Sequence, residues 1–304
     1  VSILVVGSVA LDTIRTPFGS CSEELGGSAA YFSVAAGHFD KVNMVAVVGT
    51  DFPNEHVEFF KDRGIYLDGL QRMEGKTFRW HGEYGFELGE AKSLQTCVNV
   101  FEHFHPVIPE KFKTSDYVFL ANIDPSLQLE VLEQVGNPKF VACDTMNFWI
   151  MGKRQELLRT IQRVDALILN DAEARQLTGE PNLLKAARNI TNMGPKMVII
   201  KKGEHGALLI TPEFKFSAPA YPVELLFDPT GAGDSFAGGF VGFMARCGEC
   251  CEDSLRLAVM YGTVMASFAV ERFGVKRLAE LDTFSILDRL KELKRLSEFE
   301  IQAM

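Results

Sequence analysis

Short apolar runs recur along the chain at Ile3–Val6, Met44–Val48, Tyr117–Ala121, Phe140–Ala142, Ala166–Leu169, Met197–Ile200 and Ala207–Ile210. Each is too short for a helix and rich in Val, Ile, Leu or Phe, which is how strands covered on both faces of a parallel sheet read. Amphipathic stretches of helical period lie between several of them: Ser28–His38, Asn54–Arg63, Ser126–Val135, Gln155–Arg163 and Leu183–Met193. Strand and helix in alternation predict a doubly wound α/β fold, a mostly parallel sheet flanked by helices. Beyond Gly231 the pattern turns mostly helical, through Asp253–Val270 and Thr283–Leu296, and should cover the sheet faces.

One segment breaks this rhythm. Lys76–Glu87 and Leu94–Phe104 carry Thr77, Phe78, Trp80, Tyr84, Phe86, Thr96, Val98, Val100 and Phe101, aromatic and β-branched types with no helical period, joined by the polar stretch 88–93. They predict a small inserted β-sheet, completed by residues around 13–25. Extra strands that the main core does not need usually serve a ligand, so the insert reads as a lid. No Pro- or Ser-rich linker divides the chain, and one domain spanning residues 1–304 is expected.

Composition narrows the partners. A net charge of −9 and 23% charged residues describe an ordinary globular protein without the broad cationic surface that nucleic acid or an anionic membrane rewards. No apolar run approaches the roughly 18 residues of a membrane helix, and a cytoplasmic protein is expected. Of the six cysteines, only Cys247, Cys250 and Cys251 are close together, and no second ligand pair accompanies them as a zinc site would need.

The chemistry concentrates in Asp228-Pro-Thr-Gly-Ala-Gly-Asp-Ser-Phe-Ala-Gly-Gly-Phe240. Gly231, Ala232 and Gly233 stand just before an apolar helical run, so unpaired backbone N–H groups at a helix N-terminus form an anion site, with no Cβ on the glycines to hold a phosphate off. Asp234 beside that site makes little sense for phosphate capture alone. It suits a kinase, in which a carboxylate accepts the proton of a hydroxyl while the loop stabilises the transferring group. A first-turn carboxylate favoured by the helix dipole is the bland alternative.

This thirteen-residue string resembles the C-terminal signature of the phosphofructokinase-B, or ribokinase-like, carbohydrate kinases, and Gly26-Gly27-Ser28-Ala29-Ala30 resembles their N-terminal one. The resemblance runs along nearly the whole chain. It implies that Asp234 is the catalytic base and that the amides of Gly231, Ala232 and Gly233 form the anion hole. It implies further that Asp12, Gly26, Gly27 and Ser28 bind substrate, that Asn170 and Glu173 position magnesium, and that Lys201, Gly203, Gly206, Asn170 and Thr230 line the nucleotide. Asn170 and Glu173 could equally cap the helix that follows, and Lys201–Gly206 could be a solvated hairpin turn. Asp144 with Asn147 sits where the family has a polar residue near the phosphates, at an altered spacing. Phe78 and Trp80 on the lid could stack on a sugar face or a base, or could be lid core, with Arg79 facing the opposite side.

Ser28 and Tyr31 depart from the Lys and Asn often found at these places in ribokinases, which puts ribose in doubt and leaves the kinase assignment untouched. Gly75-Lys76-Thr77 lacks the spacing of a P-loop, and Phe236 stands where a dinucleotide fingerprint needs Gly. The expectation is an ATP- and Mg2+-dependent kinase acting on a hydroxyl of a small sugar, with a monovalent cation such as K+ as a further candidate and a homodimer through the lid implied by the resemblance. A nucleoside kinase of the same fold is the alternative. From another class, a non-catalytic sugar or nucleotide sensor would gain nothing from a carboxylate facing phosphate.

Overall fold

The computed structural model describes residues 2–298. Nine strands form the main sheet: β1 (Ile3–Val6), β4 (Val42–Gly49), β5 (Ile65–Met73), β8 (Tyr117–Leu120), β9 (Phe140–Asp144), β10 (Ala166–Asn170), β11 (Met197–Lys201), β12 (Ala207–Ile210) and β13 (Lys215–Ala218). Their order is β13-β12-β11-β10-β9-β8-β1-β4-β5, parallel from β5 to β11 and antiparallel over the last two pairings. Alternation explains the continuous apolar runs. Ile3, Val5, Phe119 and Ile168 point into a core with helices Ser28–Ala36, Ala232–Cys247 and Glu252–Ala269, while Leu4, Val6, Leu120 and Leu169 point into one with Pro125–Gln134, Arg154–Ile161 and Leu183–Thr191. The Phe32 and Phe119 rings stack at 4.3 Å and fix the first helix against the sheet.

Four strands form the lid, β2 (Ala10–Thr16), β3 (Gly19–Gly26), β6 (Phe78–Glu83) and β7 (Lys92–Cys97), in the order β3-β2-β6-β7. The first lid hairpin starts earlier than expected, and the second lid segment is not strand throughout. β7 ends at Cys97, and Asn99–His103 is a 3-10 helix that returns Val100, 5% exposed, to the main core. Asn99 takes a left-handed φ of 50° at this break, and its amide donates to the Thr77 carbonyl at 2.9 Å, which ends the strand. Strands β5 and β13 have no counterpart in the sequence reading. Both lie on sheet edges, where one face is wet and the apolar run that marks an inner strand is absent.

Candidate active site

The carboxyl ends of β9, β10 and β11 carry Asp144, Asn170 and Lys201, the edge at which open α/β sheets bind ligands. Lys201 Nζ donates to Asp144 Oδ2 at 3.0 Å, and the pair is largely out of solvent. Gln128 Nε2 donates to the carbonyls of Ala121 (2.9 Å) and Asp144 (3.1 Å) and ties two neighbouring strand ends together. Burial works against the Lys201 charge, but Asp144, Glu173 and Asp234 override it and hold its pKa above the usual lysine value. The ammonium lies 2.9 Å from where a Cβ on Gly233 would stand, so a fixed cation sits directly beside the anion turn.

Gly231 caps helix Ala232–Cys247 at φ 74°, a left-handed conformation, and a Cβ there would fall 2.3 Å from the Tyr31 ring. Glycine is thus required twice, by the turn and by the ring lying flat on it. The N–H groups of Gly231 and Gly233 have no backbone acceptor among the described residues and stay available to an anion. Ala232 corrects the expectation: its N–H donates to the Pro229 carbonyl at 3.2 Å and serves the turn. Asp234 stands in the first turn, half-buried. Burial, reinforced by Asp144 and opposed by Lys201, raises its pKa to about 7. A carboxyl near neutrality is poised to exchange a proton.

On the lid side, Asp12 on β2 is the register partner of Trp80 on β6, so both side chains occupy one face of the lid. Asp12 is 4% exposed and lies so close over Gly26 that a Cβ there would meet its Oδ2 at 1.9 Å. Burial, then the charge of Asp228, raises Asp12 to about 7 against the opposing N–H of Gly27. Trp80 Nε1 donates to Ser93 Oγ at 3.0 Å, and the indole lies across Gly82, where any Cβ would strike it at 2.1 Å. Phe78 differs: its ring stacks on Phe101 at 5.5 Å, which in turn stacks on Phe104 at 5.8 Å, so it joins the aromatic column at the base of the lid. Arg79 faces away as expected, held by Glu23 and by Asp51, each at 2.8 Å.

Other predicted residues are occupied locally. Ser28 Oγ accepts from the Ser8 N–H at 3.1 Å while Ser8 Oγ accepts from the Ser28 N–H at 3.0 Å, a reciprocal lock between the first strand's turn and the first helix. Gly203 opens the exposed 3-10 turn that joins β11 to β12 as an antiparallel hairpin, whereas Gly206, just after it, is buried, and a Cβ there would meet the Ala218 carbonyl at 2.0 Å. Asn170 and Glu173 do cap helix Asp171–Thr178 reciprocally, at 2.8 and 2.7 Å. Yet Glu173 also faces Lys201 and Asp144, and burial followed by Asp144 raises its pKa to about 7. Among the described residues no three His, Cys, Asp or Glu converge on a metal cage. The donors on offer, Glu173 with Asn170, suit a magnesium ion that keeps most of its waters and is shared with phosphates.

Three further residues at the site have no binding or catalytic role in the sequence reading. Tyr31 is 1% exposed, and its hydroxyl has no hydrogen-bond partner. Asp228 is fully buried; its Oδ1 accepts from the Thr230 N–H at 2.9 Å, while its Oδ2 has no hydrogen-bond partner among the described residues. Tyr84, just past β6, places its hydroxyl 3.0 Å from Thr230 Oγ1. Tyr84 continues the alternation of Phe78, Trp80 and Gly82, so the period that marked it as a lid residue also puts it on the Trp80 face.

Known proteins share this fold. The model of the pfkB family of carbohydrate kinases matches residues 2–281. The cytidine kinase of Thermococcus kodakarensis is 31% identical over 265 residues, 84% of this chain and 93% of that protein. The crystal structure of the Methanocaldococcus jannaschii nucleoside kinase, a member of the ribokinase family, superposes with a TM-score of 0.77 at 21% identity, covering 96% of this chain and 98% of that one. A putative ribokinase II from E. coli in complex with ATP and Mg2+ superposes at 0.78 with 18% identity, covering 96% and 99%. The two superpositions carry the fold, and the family model carries the relationship: this chain belongs to the pfkB family of carbohydrate kinases.

Proposed function

We propose that this pfkB-family kinase is a nucleoside kinase, transferring the γ-phosphoryl group of ATP to a hydroxyl of a nucleoside's sugar. The observation that carries the reading is the pairing of Asp12 with Trp80 on one lid face. A carboxylate can accept hydrogen bonds from sugar hydroxyls, and an indole on the same face offers a stacking plane that a free sugar does not need but a base does. Likeness to a cytidine kinase over 93% of its length supports the same choice. A free sugar, favoured by the signatures alone, gives way to it.

In the proposed step Asp12 orients the sugar, and Asp234 accepts the proton of the attacking hydroxyl as its oxygen bonds to the γ-phosphorus and the bond to the β-phosphate oxygen breaks. The amides of Gly231 and Gly233, with Lys201 behind them, stabilise charge on the phosphoryl oxygens. Glu173 and Asn170 would hold a magnesium ion, which would supply positive charge to offset that of the phosphates. The lid covers the reacting groups and keeps water from competing as acceptor. A chain of net charge −9 can hold a triphosphate because the positive potential is local. Thermal-shift screening with nucleosides, ribose and hexoses tests the assignment: a nucleoside that raises the melting temperature where its free sugar does not supports it, and stabilisation by sugars alone refutes it.

The exposed outer strand of the lid, β7, is an open sheet edge and the surface on which the proposed homodimer would form.

A further inference from the structure

Lid and anion turn are joined by two side-chain bonds. Thr16, on β2, donates through Oγ1 to the Phe227 carbonyl at 2.9 Å. Tyr84, whose own N–H donates to the Arg15 carbonyl at 2.9 Å, reaches across from the other lid strand to Thr230 Oγ1. Both land on the four residues that immediately precede Gly231. That segment is stiff between its anchors: Thr230 N–H is bonded to buried Asp228, Phe227 N–H to the Val270 carbonyl at 2.8 Å, and Ala232 N–H to Pro229. A displacement at Thr230 therefore has no slack to absorb it before the free amides of Gly231 and Gly233.

We propose that Tyr84 is a positioning residue of the phosphoryl transfer, whose hydroxyl on Thr230 sets the anion turn in register while the lid is down, the position in which this structure holds it. Among the described residues the Tyr84 hydroxyl has its hydrogen bond with Thr230, through which it acts, and none with Asp234. Burial keeps the phenol neutral, with its pKa raised to about 12, so the contact persists across the working pH range. The device makes good anion-turn geometry conditional on closure and so discourages transfer to water when the lid is open. It rests on the kinase chemistry and not on which nucleoside is the acceptor.

Tyr84→Phe keeps the ring and removes the bond. Two measurements on the full chain test the proposal. In hydrogen exchange without ligand, the bonded amides of Ala232 and Ser235 should exchange several-fold faster in the variant while those of β1, β8 and β9 are unchanged; equal rates overturn the proposal whatever the substrate proves to be. In steady-state assays with cytidine, kcat should fall about tenfold, the scale of one neutral hydrogen bond, with the KM for ATP unchanged. Thr230→Val should add little to Tyr84→Phe if the two act as one unit. Unchanged kcat, or losses that multiply independently, overturns it, and a raised nucleoside KM at constant kcat would assign Tyr84 to the pocket wall instead. Should no nucleoside be phosphorylated, the exchange arm still decides.

Discussion

The ammonium of Lys201 lies 3.0 Å from the carboxylate of Asp144 and faces two further carboxyl groups, Glu173 and Asp234. One buried cation thus holds three acidic groups beside a site meant for a polyphosphate. Lys201→Met should leave them uncompensated. We expect about 3 kcal/mol of lost stability at pH 8 by denaturant unfolding, the scale for breaking a buried pair. The loss should shrink at pH 5, where the carboxyl groups can take up protons. A pH-independent loss would mean that the lysine acts through packing alone.

Asp234→Asn should preserve fold and nucleotide binding and lower turnover by about 10²-fold or more, the usual scale for a missing general base. Wild-type turnover in this variant would remove Asp234 from the chemistry.

The pH dependence has a definite sign. Asp12, Glu173 and Asp234 are raised to about 7 from ordinary carboxyl values, so between about pH 4 and 7 the folded chain holds more protons than the unfolded one. Stability of the ligand-free protein should therefore fall as pH rises through that window. Asp234→Asn should flatten the fall and raise the melting temperature at pH 8. Activity should run the other way, increasing towards pH 7 and above as Asp234 loses its proton. Ligand-free stability that climbs from pH 5 to 8 would contradict these shifts.

Glu173→Gln keeps an acceptor for the Asn170 N–H, so the helix cap survives and stability should change by less than about 1 kcal/mol. The magnesium concentration needed for half-maximal rate should rise while the nucleoside KM stays put. An unchanged magnesium titration would leave Glu173 with its capping role only.

The sequence already carried the layers of the fold, because strands buried on both faces cannot avoid being continuously apolar and the helices between them cannot avoid a 3.6-residue period. Edge strands β5 and β13 escaped because one wet face breaks that signal. The anion turn was legible since its glycines and Asp234 are contiguous. Lys201 and Asp144 were legible only through the family resemblance; their contact with each other, and the Tyr31 ring lying on Gly231, join elements far apart in sequence and appear only in the fold. Ala232 shows the limit of a motif even where it is contiguous, since which amides remain free depends on how the turn closes on Pro229.

Trp80→Ala should raise the nucleoside KM by about 5- to 100-fold, the range for a lost base–aromatic stack of 1–3 kcal/mol, with the KM for ATP unchanged. Trp80→Phe should recover most of the loss. Equal loss in both variants would place Trp80 in the lid's framework through its bond to Ser93.

The most direct measurement is the ratio of kcat/KM for cytidine to that for free ribose in the wild-type chain, followed by ADP release with the phosphorylated product identified by mass. A ratio of about 10² or more in favour of the nucleoside is predicted, the discrimination that a stacked base can add to shared sugar contacts. A ratio near one, or one that favours ribose, would contradict the assignment of the Asp12 and Trp80 face to a nucleoside.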